Sequence, residues 1–543
     1  MAGLSCLLRP FRHWAWSCCG ILVTGGMIVS CASVPQPGTG PVAAPKASSM
    51  SGKAQPSETV DPRAYYEFMM GHRAELSQQP DEAVSRYRRA LQYDTGSVAL
   101  KLRLLATYVS QSKLPEALTV ADQIEASSLA DAQGLTLVGN VYAGAGKMDK
   151  AVAVFDRAIS ADPERSDAYF SKGMVLLNQK QLAEAEQAFE SGVQKAKDPT
   201  LGYYHLGRVA IERKQYDRAI TVLDKAIVSN VAFEPSYVAL GAAYEALQQP
   251  DQSIAVFRNY VDTVNGYSVE ARHHLARLYI SRKAYDQALV ELERILQLDP
   301  NDLDAQLKIG LIYSERKDYL RAISTLKKVL AVRPNEVRIR DYLGVLYEES
   351  KNLDQALLAY QENIRIQPDY VDGRMHLGFL LYRLKRFPDA TEQFTAAVTL
   401  APEQPETHLL LGLSRFQAEQ YQESATVFEH AIVIHPTNPD LHFNLGTVYD
   451  KLNRFDEAVR VMEQTLTLDP HYADALNYLG YSYADRGVNI EEALALTQRA
   501  VALKPSNGYY VDSLAWAFFK LGRLDEALSE MRRAVALVGE DPV

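Results

Sequence analysis

Beyond residue 63 the chain has a helical rhythm. Apolar side chains return three and four residues apart over one stretch, then over a second, and the pair restarts every 34 residues. With each unit numbered 1 to 34, positions 1–14 and 18–31 predict two amphipathic helices, each about 20 Å long. The unit is plainest in residues 132–165. Gly139 stands there at position 8, Tyr142 at 11, Ala151 at 20, Phe155 at 24, Ala158 at 27 and Pro163 at 32. Position 8 is Gly in eleven units, Ala in two (Ala276 and Ala515) and Leu105 in one. Position 20 is Ala in twelve units and Ser in two, Ser253 and Ser424. Fourteen units, with one extra residue in repeat 13 between Gly480 and Ala493, carry the frame from 64 to about 540.

Small residues at positions 8 and 20 let the two helices cross closely, and larger groups at 24, such as Phe189 and Phe394, fill the space beside them. Asp at position 18, as in Asp81, Asp149 and Asp456, is placed to N-cap the second helix. Pro at position 32, as in Pro300, Pro368 and Pro470, stops it, having no N–H to continue. One such pair cannot bury its own apolar face, but stacked pairs can. Repeat 2 departs from the pattern, with Leu105 at position 8 and no terminating Pro. The sequence ends at Val543 with no extra polar helix after repeat 14. The period and its residues resemble the tetratricopeptide repeat (TPR). The resemblance implies an all-α, right-handed TPR solenoid over 64–543.

Hydrophobic residues are 47% and charged residues 23%, ordinary for a folded chain, and the net charge is −10. That sign repels phosphate backbones, so no nucleic acid is expected as a partner. All four cysteines (Cys6, Cys18, Cys19, Cys31) precede residue 32, so the repeats can hold neither a disulfide nor a cysteine-based zinc site. Arg9 and Arg12 precede an uncharged apolar run at 18–30, too short to span a bilayer and right for a signal-peptide core. Ile28-Val29-Ser30-Cys31 resembles a bacterial lipobox. Residues 1–30 are then a lipoprotein signal peptide, and Cys31 is the lipidated first residue of the mature chain. Ala32 after it, by loose analogy with the enteric sorting rule, implies the outer membrane. Residues 31–63 hold the lipidated Cys and a Pro/Ala/Ser/Gly tether too poor in apolar residues to bury a core.

No catalytic constellation accompanies the repeats, so the protein is not expected to be an enzyme, and no cofactor or small-molecule substrate is expected. Gly144-Ala145-Gly146-Lys147 imitates a phosphate loop, but Met148 follows where Ser or Thr is needed, and the run falls in the inter-helix turn of repeat 3. The adjacent His273 and His274 diverge by about 100° on a helix. His408 and His442 share position 4, which reads as packing, and no metal is expected.

Function then falls to the surface. In TPR folds, positions 2, 5, 9, 12 and 13 of the first helix line the concave face. Carried onto repeats 10–14, the resemblance places Met375, Phe379, Tyr382, Leu409, Leu413, Phe416, Phe443, Tyr481, Trp516 and Phe519 in that groove. Arg383, Asp440, Asp450, Asp474 and Asp485 are interspersed. Repeats 8 and 9 add an acidic stretch of Asp304, Glu315, Asp341, Glu348 and Glu349. Aromatic anchors with a polar surround suit a protein partner. No position 5 is Lys, so the carboxylate clamp of chaperone-binding TPR domains is missing. Residues 475–487, ALNYLGYSYADRG, with VDSLAWAFFKLGRLDEAL after them, are similar to the ending of certain bacterial outer-membrane TPR lipoproteins. Some of these are adaptors that recruit a periplasmic C-terminal-processing protease to cell-wall hydrolases. The resemblance implies a membrane-anchored scaffold facing the periplasm, with periplasmic or envelope proteins as partners. The alternative is an assembly component of an envelope secretion, pilus or polysaccharide-export machine.

Overall fold

The structure, a computed structural model, describes residues 61–126 and 131–538. The signal peptide, Cys31 and the tether to residue 60 lie outside the described residues. Among the described residues there are 28 α-helices and no strands. None of the helices is long and apolar enough to cross a membrane. Repeat 4 shows the common form: a first helix Ser166–Asn178, a three-residue turn, and a second helix Leu182–Lys195. The helices therefore occupy positions 1–13 and 17–30.

The turn explains that register. Lys180, at position 15, is left-handed with φ 61°. Its N–H donates to the Leu177 carbonyl (3.0 Å), and the next N–H, of Gln181, donates to Leu176 (2.9 Å). Two end carbonyls of the first helix are thereby satisfied. Every repeat places a left-handed residue here, and in most it is not glycine: Lys214, Lys283, Lys317, Lys351 and Lys385 all have positive φ. Repeat 3 uses Gly146 (φ 74°), so the phosphate-loop look-alike is this turn.

The second helix starts one residue earlier than its apolar pattern predicts, which corrects the role assigned to Asp at position 18. The N-cap is position 16, and at Gln79, Lys147 and Arg454 it makes no side-chain cap bond. Asp81, Asp149 and Asp456 sit inside the first turn, where a carboxylate favours the partial positive charge of the free N–H groups. Asp81 and Asp149 also tie successive repeats together. Asp81 accepts from Lys113 Nζ (2.9 Å), and Asp149 accepts from Gln179 Nε2 (3.1 Å).

The close crossing at position 8 is a contact with position 24. A Cβ added to Gly139 would lie 2.4 Å from Phe155 Cε1, and at Gly173, Gly344 and Gly412 the ring at position 24 is met at 2.6, 2.3 and 2.3 Å. Repeat 2 solves the same problem in reverse. Leu105 at position 8 and Ala121 at position 24 are both fully buried in one core, the large and small groups having changed places.

A second extra residue accompanies the one placed in repeat 13. Position 8 moves 35 residues from Gly241 to Ala276. The end of that repeat's second helix absorbs it as a π-turn, Tyr260–Val264, in which the Asn265 N–H donates to the Tyr260 carbonyl (2.9 Å). Tyr260 and Val261 are both buried, and the Tyr260 ring packs on Tyr237 at 4.5 Å. In repeat 13 the addition falls in the turn, where Gly487 and Asn489 are both left-handed.

By internal contacts the described residues divide at Ala305/Gln306 into two compact units. Each is an all-α solenoid of stacked helix pairs. In the first, Phe155, Tyr142 and Val154 anchor the early repeats. In the second, Phe428, Leu441 and Val448 serve repeats 11 and 12, and Leu476, Val511 and Leu514 the last two.

Candidate functional site

The first helices of repeats 10 to 14 run over Val371–Arg383, Pro405–Gln417, Pro439–Lys451, Ala473–Arg486 and Gly508–Lys520. Residues four apart on each form a stripe, and the ten sequence-predicted residues lie on such stripes. The structure sorts them into three groups. Met375 and Leu409, both at position 5, are only 5% and 8% exposed, so their side chains belong to the core rather than to a binding surface. Phe379, Tyr382, Leu413, Phe416, Phe443 and Trp516 are half-buried. Tyr481 and Phe519 are 44% and 50% exposed.

The half-buried rings are held by neighbours. Tyr382 meets Phe387 edge-on at 5.4 Å, and Phe416 meets Tyr421 in the same way at 5.3 Å. Each pair joins position 12 to position 17 of its own repeat, across the turn. Phe443 lies 5.1 Å from Tyr472, and Trp516 stacks on Phe519 at 5.2 Å. Rings fixed in this way lose little rotamer freedom when something binds, which is what an anchor requires.

The interspersed acids differ in how well they are matched. Asp440 accepts from Tyr472 Oη (2.7 Å), and Asp450 from Tyr478 Oη (2.9 Å). Asp474 accepts from Tyr510 Oη (2.5 Å) and Lys504 Nζ (3.2 Å). Burial, followed by these carboxylates, pushes the three phenols well above the usual tyrosine value.

The acidic stretch of repeats 8 and 9 is not a uniform acidic surface. Asp341 is buried and faces His376 Nδ1 at 2.8 Å. Burial disfavours the His376 charge, yet Asp341, then Asp372 and Glu348, hold its pKa above the usual histidine range. Glu348 is largely buried too, accepting from Tyr360 Oη (2.8 Å) and Arg383 Nη1 (2.5 Å). Burial raises its pKa despite both partners. These groups couple repeats 9 and 10 inside the stack. The sequence could not show this, because Asp341 and His376 stand on different repeats.

Position 4 has a recurring structural use. His408 Nε2 lies 2.8 Å from the Pro402 carbonyl and His442 Nε2 3.0 Å from that of Pro436; Arg374 Nε donates likewise to Pro368 at 2.8 Å. The two histidines are thus structural, as their shared position implies. His273 and His274 do diverge. The His274 ring stacks on Phe257 at 4.7 Å, while His273 faces Asp302 (2.8 Å) and Asp304 (3.3 Å). Ligand atoms of His273, Asp302 and Asp304 lie within 4.8 Å of one another, close enough to share a cation. Sequence reasoning missed this group because the two acids flank the boundary of the next repeat, Asp302 closing repeat 7 and Asp304 opening repeat 8.

Models described as tetratricopeptide repeat match residues 138–201, 307–371, 443–508 and 489–542, and also 244–309 and 202–227. One described as TPR repeat matches 412–453. Between 138 and 542 only 228–243 and 372–411 are unmatched. No curated protein matches the sequence. Among solved structures, the crystal structure of the APC/C hetero-tetramer Cut9–Hcn1 is 13% identical over 89% of this chain and 95% of that one, with a TM-score of 0.37. The structure of Naa15/Naa10 bound to HypK-THB is 14% identical over 88% of this chain and 84% of that one, with a TM-score of 0.37. A tetratricopeptide repeat protein from Parabacteroides merdae is 16% identical over 46% of this chain and 99% of that one, with a TM-score of 0.36.

Proposed function

The chain belongs to the tetratricopeptide repeat family, and from that premise we propose that the first-helix face of repeats 10–14 holds a segment of a partner protein. Tetratricopeptide repeats are protein–protein interaction scaffolds, and their fold is generally non-catalytic. The observation that carries the reading is the run of half-exposed rings on successive first helices, Phe379, Phe416, Phe443, Tyr481 and Trp516, of which Phe416, Phe443 and Trp516 are held by neighbouring rings. Apolar faces of this kind, bordered by carboxylates, suit a peptide that brings its own side chains into the gaps. Cys31 supplies the anchor in this proposal, as the lipidated first residue of an outer-membrane lipoprotein. The tether after it keeps the repeats near the membrane on its periplasmic side. The scaffold then gathers periplasmic or envelope proteins there, as an adaptor for a protease or a cell-wall enzyme.

The test is Phe379→Ala combined with Phe416→Ala. Truncating an anchor typically costs about 2 kcal/mol or more, roughly thirtyfold in affinity. The double variant should lose the envelope proteins that the unaltered protein captures, with its circular dichroism retained and its melting temperature lowered by no more than the loss of two half-buried rings. Retention of the same partners by a folded double variant would overturn the reading.

A further inference from the structure

The last two first helices pack side by side and carry two facing stripes. One is Asn477, Tyr481 and Asp485, at i, i+4 and i+8; the other is Asp512, Trp516 and Lys520, at the same spacing. Lys520 Nζ closes one end, donating to the Asp485 carbonyl oxygen at 3.0 Å and lying 4.9 Å over the Trp516 ring. The carboxylates of Asp485 and Asp512 are both exposed, and neither has a cation within ion-pair distance among the described residues. That sets them apart from Asp440, Asp450 and Asp474 on the same face, each of which accepts from a hydroxyl. Both carboxylates border the half-exposed Tyr481. After burial, their charges are what push its phenol pKa upward. Asn477 Oδ1 and Trp516 Nε1, one acceptor and one donor, are shielded from solvent and have no hydrogen-bond partner among the described residues. Leaving shielded polar groups unpaired is costly, and a peptide group offers the complementary N–H and C=O.

We propose that this notch takes a lysine or arginine side chain from an extended segment of the partner protein. The cation lies over the Tyr481 ring at the middle of the notch, in the field of Asp485 at one end and Asp512 at the other, and the segment's backbone reaches Asn477 and Trp516. Charge complementarity selects this occupant over an acidic or wholly apolar one, since two unmatched carboxylates would repel the first and be left desolvated by the second. The proposal rests on the first-helix face being the binding face, and its test separates the two. Fluorescein-labelled nine-residue peptide pools, identical except for a central Lys, norleucine or Glu, are titrated into the purified protein and followed by anisotropy. The Lys pool should bind about tenfold or more tighter than the norleucine pool, and the Glu pool weakest. Asp485→Asn with Asp512→Asn should reduce the Lys preference to about twofold or less, by weakening the Lys pool while the norleucine pool binds no more weakly than before. Equal binding of Lys and norleucine pools, or a Lys preference that survives the double change, overturns the notch and leaves the face standing. Failure of every pool to bind overturns both.

Discussion

Replacing Gly139 by Leu tests the packing rule on which the whole stack depends. A Cβ alone at this position would lie 2.4 Å from Phe155 Cε1 and 2.7 Å from Cδ1, and the ring is fully buried, with no room to retreat. Overpacking of this kind costs about 1–3 kcal/mol, and contacts this short argue for the upper end. Leu is a better helix former than Gly by roughly 0.8 kcal/mol, which offsets part of it. The net expectation is a loss of about 2 kcal/mol. Lys147→Leu, in the exposed turn of the same repeat, should stay within about 0.5 kcal/mol. Repeat 2 supplies the rescue, because Leu105 and Ala121 already fill these two positions with sizes exchanged. Phe155→Ala alone should cost about 3–5 kcal/mol. Gly139→Leu with Phe155→Ala should then cost less than the sum of the two singles by about 2 kcal/mol or more. Urea unfolding gives the totals, and amide exchange in 132–161 localises them. If Gly139→Leu matches Lys147→Leu, or the pair simply adds, positions 8 and 24 do not form the contact described.

Three further outcomes follow from the geometry. Lys351 is exposed at φ 62°, so Lys351→Gly should stabilise by about 0.5–1 kcal/mol, the left-handed penalty less the entropy of glycine, whereas Lys150→Gly, exposed inside the helix Met148–Ala161, should destabilise by about 1 kcal/mol; urea midpoints decide. His376 has a raised folded pKa, so its contribution is fully present below the unfolded histidine value of about 6.5 and is lost as pH rises through the folded value. The melting temperature should fall across that window, and His376→Gln should flatten the fall; an unchanged profile in the variant would assign the effect elsewhere. Cys31→Ser should block processing or release the protein from membranes, and mass spectrometry of the mature N-terminus should find cleavage before Cys31 in the unaltered protein.

Much of this fold is legible in the sequence because the repeat is a volume code. Gly at 8 and a ring at 24 are both visible as letters, and their spacing is fixed by helix geometry. What stayed hidden depends on backbone conformation or on neighbours in space. The left-handed turn residue is Lys more often than Gly, so nothing in the residue type signals it. The N-cap lies at position 16 rather than 18, because an apolar pattern marks the buried face of a helix, not its first hydrogen bond. The π-turn at Tyr260–Val264 was signalled only by the 35-residue step from Gly241 to Ala276. On the candidate face, family positions located the stripes but not their depth. Met375 and Leu409 sink into the core, while Tyr481 and Phe519 stand clear of it. Asp512 stands at concave position 5, but sequence does not show that it and Asp485 lack the partners that Asp440, Asp450 and Asp474 have.

Site-specific photo-crosslinking in intact cells reads directly whether the partner lies against the first helices of the last repeats. Benzophenone-alanine is placed at Phe519 on that face or, as the contrast, at Val433, which is 80% exposed on the second helix of repeat 11. A partner on the first helices gives a discrete protein adduct from the Phe519 position, lost on adding Phe379→Ala with Phe416→Ala, and none from Val433. An adduct from Val433 in the absence of one from Phe519 would place the partner on the second helices and contradict the first-helix placement.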